Sequence, residues 1–160
     1  WKVTGDEEDH RRRSIYLFVR RNLRYPMFDV FDRPDTMASC PERHRSTTAT
    51  QSLTQFNSGF SLNCAQWLAG VLLRDGPPNR EAPIRAAYRR VFSREGAEDE
   101  VALAQSFVAQ QAKALRAADR EVATLALPQP APPDGDPFEQ AALVDFCLAL
   151  LNASEFLYVE

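Results

Sequence analysis

Between Leu53 and Val71, apolar side chains return at intervals of three and four: Leu53, Phe56, Phe60, Cys64, Trp67 and Val71. That spacing winds into one stripe on an α-helix and scatters over both faces of a strand. No stretch of useful length alternates with period two, and no internal repeat occurs. Shorter versions of the same pattern recur along the chain. The expected fold is therefore all-α: an orthogonal bundle of about five helices in one domain, residues 1–160.

The punctuation between these patterns sets the expected element boundaries. Residues 8–24 read as a first helix, with Ile15, Phe18, Val19 and Leu23 on one face and arginines on its flanks. Pro26 disfavours helical geometry at Tyr25 and is expected to end it, with one more turn over Met27–Phe31. Asp32–Ser46 carries Pro34 and Pro41 among charged and small residues and reads as an irregular, ordered loop. Thr47 or Thr48 then caps the main helix, which Asn57-Ser58-Gly59 kinks or divides and Asp75-Gly76-Pro77-Pro78 stops.

Pro83 opens a short amphipathic helix through Ile84, Tyr88, Val91 and Phe92 to about Ser93. Glu95-Gly96 links it to a long alanine-rich helix over about 98–119, with an extension to Ala126 as the alternative. The apolar face of that helix, Val101, Ala104, Val108 and Leu115, is thin, which predicts a peripheral position. Five prolines between Leu127 and Pro137 predict a surface connector or a mobile loop. A last helix over 138–151 places Leu143, Phe146, Cys147, Leu150 and Leu151 on one stripe and ends at Asn152. Glu155–Val159 is expected to lay Phe156 and Tyr158 back against the body.

Composition excludes several classes. A net charge of −3 and a pI near 5.5 argue against a general nucleic-acid surface. Residues 1–50 hold ten basic and eight acidic side chains, and 51–160 hold nine and fourteen, so a basic segment precedes an acidic body. Arginine outnumbers lysine 17 to 2, which favours forked, partly buried carboxylate pairs. No apolar run approaches the ~18 residues a membrane span needs. Cys40, Cys64 and Cys147 are too few and too widely spaced for a disulfide framework or a zinc site. Cys64 and Cys147 read as buried free thiols, with Cys40 in a loop. The chain opens on Trp1 rather than Met and reads as a fragment of a longer protein.

Ordered motifs add to this. Arg12-Arg13-Ser14-Ile15-Tyr16, Arg21-Asn22, Tyr25-Pro26, Phe31-Asp32-x-Pro34-Asp35, Ser39-Cys40, Arg43, Thr47-Thr48, Gln51-x-Leu53 and Asn57 follow one another. Tyr88-Arg89, Arg94-Glu95 and Leu151-Asn152-x-x-Glu155-Phe156-x-Tyr158 continue the series. In this order they resemble the planctomycete-type C-terminal domain catalogued as domain of unknown function 1553, over nearly the whole chain. The resemblance implies an exported or periplasmic setting, behind a companion domain and in some relatives a c-type cytochrome domain. It supplies no catalytic residues. Thr50 stands where the family has proline, Ser52 where it has alanine and Gly59 where it has glutamate. Ser93-Arg94-Glu95-Gly96 replaces a Gly-Arg-Glu-Pro turn, so local helix starts differ rather than the fold.

The candidate chemistry centres on Asp32 and Asp35. In a structural reading, Arg12 and Arg13 pin these carboxylates, and stranding one partner of a buried pair would cost roughly 3–5 kcal/mol. In a ligand reading, Asp32, Asp35, Arg43 and Glu155 rim a cleft for a hydroxyl-rich or acidic ligand such as a polysaccharide. Cys40 with His44 lacks an activating neighbour for a nucleophile and a second ligand pair for a metal. Asp29, Asp32 and Asp35 lack the glycine-bearing loop of a calcium site, and no metal is expected. No Cys-x-x-Cys-His occurs, so no haem and no other cofactor is expected in this chain. The leading expectation is a non-catalytic module of an exported multidomain protein, packed on the upstream domain with Trp1, Arg12 and Arg13 nearest the junction. Carbohydrate binding or processing, and a redox-associated role beside a cytochrome domain, are the alternatives.

Overall fold

A computed structural model of the chain describes residues 5, 13–19, 25–35, 37–42, 46–75, 81–119 and 121–158. Every regular element among them is helical: α1 (Pro26–Val30), α2 (Ala49–Asn57), α3 (Gly59–Asp75), α4 (Ala82–Phe92), α5 (Glu98–Ala117), α6 (Pro137–Leu151) and α7 (Ser154–Leu157). The all-α expectation holds. The chain divides into two compact units, Trp1–Gln51 and Ser52–Glu160, with α2 running across the division.

In the second unit α6 is the central element. Ala141, Ala142, Leu143 and Val144 are consecutive and all buried, as are Phe146, Cys147 and Leu150. A helix can be apolar all round only where neighbours cover more than one face. Here α3 and α5 pack along it most extensively, and α4 and α7 close the remainder. Asp136 caps α6 by accepting from the Glu139 amide at 3.1 Å, and Pro137 supplies the first-turn geometry.

Alanine lines these interfaces: Ala65 and Ala69 on α3, Ala87 on α4, Ala104 and Ala112 on α5. Small side chains let helix backbones approach closely. The thin face of α5 packs closely on α6 through Val101, Ala104 and Ala112, while most of the helix stays exposed, as the expected peripheral position requires.

The face that α3 buries differs from the expected one. Ala65, Ala69, Gly70 and Leu72 are buried and Cys64, Trp67 and Val71 half-buried, whereas Phe60 at its start, and Leu53 and Phe56 on α2, are 56%, 63% and 51% exposed. The small-residue face packs innermost because it admits α6 and the connector after α5. Asn57-Ser58-Gly59 divides the helix: α2 ends at Asn57, and the Ser58 hydroxyl accepts from the Ser61 amide at 3.1 Å to start α3.

The proline-rich connector is docked, not mobile. Its Gln129 amide donates to the Gln66 carbonyl at 2.9 Å, and the Gln66 side chain donates to the Leu127 carbonyl at 2.9 Å. Pro128 is fully buried, and the Gln129–Pro130 peptide is cis. Gly70 makes the approach possible, since a Cβ there would lie 2.2 Å from the Gln129 carbonyl oxygen.

In the first unit the expected helix over 8–24 is not what the described part shows. Ser14–Tyr16 forms a single 3-10 turn, and Leu17 follows with extended backbone (φ −72°, ψ 134°). One turn gains too few hydrogen bonds to offset nucleation, and none of its side chains is buried to compensate. Pro26 begins the further turn expected over Met27–Phe31. It sits in the first turn of α1, where its missing N–H costs nothing, and Tyr25 before it is extended as expected.

Candidate functional site

The loop after α1 is organised around Asp32, which adopts a left-handed backbone (φ 54°), a conformation aspartate tolerates better than most residues. Its Oδ2 accepts from the Ser46 amide at 2.7 Å, from the Ser46 hydroxyl at 2.6 Å and from Gln51 Nε2 at 3.4 Å. Gln51 is the buried hub of the unit. Its Nε2 donates to the Val30 carbonyl at 3.0 Å, and its Oε1 accepts from the Thr48 amide at 3.3 Å. That last bond is half of a capping box, which places Thr48 at the head of α2. A single glutamine thus ties the end of α1, the Asp32 turn and the start of α2 together.

Asp35 is exposed and closes a local turn, its Oδ1 accepting from the Met37 amide at 3.0 Å. A hollow of about 610 Å³ opens beside these residues, lined by Asp29, Asp32, Arg33, Asp35, Cys40 and Glu42 among others. Arg33 also lies over the Phe28 ring at 5.7 Å. The Cys40 thiol, exposed and free, donates to the Glu42 carbonyl at 3.0 Å. Among the described residues no group of three or more His, Cys, Asp or Glu side chains is placed to hold a metal ion.

Of the other expected site residues, Arg13 is exposed beside the 3-10 turn. Arg12 and Arg43 lie outside the described residues, as do His44 and Trp1. Glu155 belongs to the second unit and to a different constellation. There Arg94, just past α4, grips two carboxylates. Its Nε and a terminal nitrogen donate to Glu155 at 2.6 and 2.9 Å, and its two terminal nitrogens donate to Glu100 at 2.8 Å each.

The same guanidinium lies 5.7 Å from the Tyr88 ring centroid and 5.5 Å from that of Phe92. One arginine thus fastens the start of α5 and the terminal α7 to the end of α4. Ser93 makes the turn that delivers it, capping α4 in a left-handed conformation (φ 57°). The Arg94 contacts, followed by the Ala97 amide, pull the Glu100 carboxyl down to about 2, and Arg94 also lowers that of Glu155. Arg94 was legible in the sequence only as part of the Arg94-Glu95 motif. Its partners lie 6 and 61 positions away, and no periodicity announces them.

Burial decides the remaining thiols. Cys147 is fully buried and Cys64 partly so, and desolvation raises both above the ordinary thiol value. Phe156 and Tyr158 are 42% and 53% exposed, and Glu155 fastens the C-terminal segment through Arg94. No helix among the described residues is long and apolar enough to cross a membrane.

No curated protein and no solved structure matches the chain. A family model does, over residues 2–108, which takes in the Asp32 loop, the Gln51 hub, Arg94 and Glu100 and stops within α5. The chain belongs to the family described as "Protein of unknown function (DUF1553)".

Proposed function

We propose that the chain is a non-catalytic interaction module of an exported multidomain protein, and that residues 13–19 dock on the polypeptide that precedes it. The observation that carries this reading is the exposure of Ile15 (79%), Tyr16 (72%) and Val19 (49%) in one short segment. Contiguous exposed apolar surface of this kind marks an interaction site rather than a solvated loop. The polar residues support the same reading. The Arg94 carboxylates are engaged by their arginine, the Asp32 Oδ2 is engaged by Ser46 and Gln51, and the Cys147 thiol is sealed in the core.

Hydrogen exchange tests the proposal. Amides 14–19 should exchange markedly more slowly in the longer polypeptide than in the 1–160 chain alone. Equal exchange in both would refute docking through this segment.

Carbohydrate binding is the second reading, favoured by the hollow beside Asp29, Asp32 and Asp35. Exposed Asp35 is its best acceptor for sugar hydroxyls, because the Asp32 Oδ2 already accepts from Ser46 and Gln51. Binding on a glycan array that disappears with Asp35→Ala, in a variant of unchanged circular dichroism, would favour it. An array with no binder removes it.

A further inference from the structure

We infer that α7 is a strap that Glu155 latches onto Arg94, and that it opens alone while the rest of the second unit stays folded. The strap is short and shallowly seated. It has four residues, none of them buried, and it packs against α4 and α6. Its backbone hydrogen bonds stay within the segment. The Phe156 and Leu157 amides donate to the Ala153 carbonyl, and the Tyr158 amide donates to that of Ser154. Among the described residues, the hydrogen bonds that tie Ser154–Leu157 to another element are the two between Arg94 and Glu155.

Neither neighbour depends on the strap. The end of α6 is closed from within: the Asn152 amide donates to the Ala149 carbonyl, the Ala153 amide to that of Leu150 and the Asn152 side chain to that of Leu148. Ala153 then continues with extended backbone (φ −69°, ψ 143°), so rotation at this residue swings α7 without breaking a bond of α6. On the other side, Arg94 keeps its place when Glu155 leaves. It still grips both oxygens of Glu100, which also accepts from the Ala97 amide at 2.8 Å, and it still lies over the Tyr88 and Phe92 rings. Glu155 is the more exposed of the two carboxylates, 46% against 33%. Water and salt screen the more exposed pair first, so a shared guanidinium releases the carboxylate on the short element and keeps the other. Opening then frees one edge of an arginine that is already oriented.

Amide exchange followed by NMR on the 1–160 chain, at about 50 and about 500 mM NaCl, tests the strap. At low salt the Phe156, Leu157 and Tyr158 amides should exchange faster than those in the middle of α3, α5 and α6. Glu155→Gln should speed them about two- to five-fold further and leave the core amides unchanged. High salt should do the same to the parent chain and add nothing to Glu155→Gln. Release by Leu157→Ser but not by Glu155→Gln would assign closure to apolar contact and overturn the latch. Amides 156–158 that accelerate only together with those of α3, α5 and α6 would show the bundle opening as one body, which overturns the strap.

Discussion

Replacing Gly70 with alanine adds one methyl group in the middle of α3, and the structure specifies its effect. The new Cβ would lie 2.2 Å from the Gln129 carbonyl oxygen, 2.5 Å from its carbon and 2.9 Å from the Pro130 nitrogen. All three are backbone atoms, so no side chain can rotate away, and the connector must retreat by about 1 Å to restore ordinary contact. That movement pulls on the Gln129–Gln66 and Gln66–Leu127 hydrogen bonds and lifts Pro128 from its buried position.

Two such bonds contribute about 1 kcal/mol each, and partial re-exposure of the proline adds about 1. Alanine gains back about 0.5–1 kcal/mol of helix propensity. The net expectation is destabilisation by about 2 kcal/mol, or roughly 4–8 °C in Tm for a chain of this size. Urea denaturation followed at 222 nm, with calorimetry alongside, measures it. Gly59→Ala is the control, because a Cβ there meets nothing within 4 Å and stability should hold or rise slightly. A Gly70→Ala protein as stable as the parent would refute the docked connector.

Three further outcomes are expected. Gln51→Glu removes the donor to the Val30 carbonyl and sets a second carboxylate against Asp32; it should destabilise the first unit by about 1–3 kcal/mol, seen as faster hydrogen exchange in α1 and the start of α2. Because Glu100 titrates near 2 in the fold against an ordinary 4.5, the folded chain binds fewer protons between those values. Stability should therefore hold above about pH 5, decline as pH falls towards 2, and decline less steeply in Glu100→Gln, measured by urea midpoints across pH. Cys40 should react with a thiol reagent at once and Cys147 only after unfolding, as mass mapping of time points would reveal; Cys147 labelled in the native state would contradict its burial.

Much of the second unit was legible from residue order because local chemistry and tertiary packing agree there. Pro83, Ser93, Gly96 and Asn152 mark turns and caps that the structure uses. The errors arose where a neighbour chose between local options. The strongest periodic signal runs from Leu53 to Val71, yet only its second half, Cys64, Trp67 and Val71, is even half-buried, and α3 turns its alanines innermost because only small residues admit α6 and the connector.

The prolines of 127–137 spoke of extended backbone but not of where that backbone lies, which Gly70 and Gln66 determine from sixty residues away. At the candidate sites, Asp32 and Glu155 stood out as charges within motifs. Gln51 and Arg94 stood in motifs and Ser46 only at a loop end, with nothing to mark them as the partners, since side-chain hydrogen bonds over such separations leave no spacing to read.

Among the described residues of the second unit, seven of the buried side chains are alanines, which bears on how this protein can change over time. In an interior filled by leucine and phenylalanine, a lost methyl group in one place can be recovered by a gained one nearby. Where main chain nearly touches main chain, no such exchange exists, and any enlargement wedges two helices apart along their length. Variation should therefore gather on the outward aromatic stripe and in the connecting loops, while the alanine seams of α3, α5 and α6 accept little beyond glycine or serine.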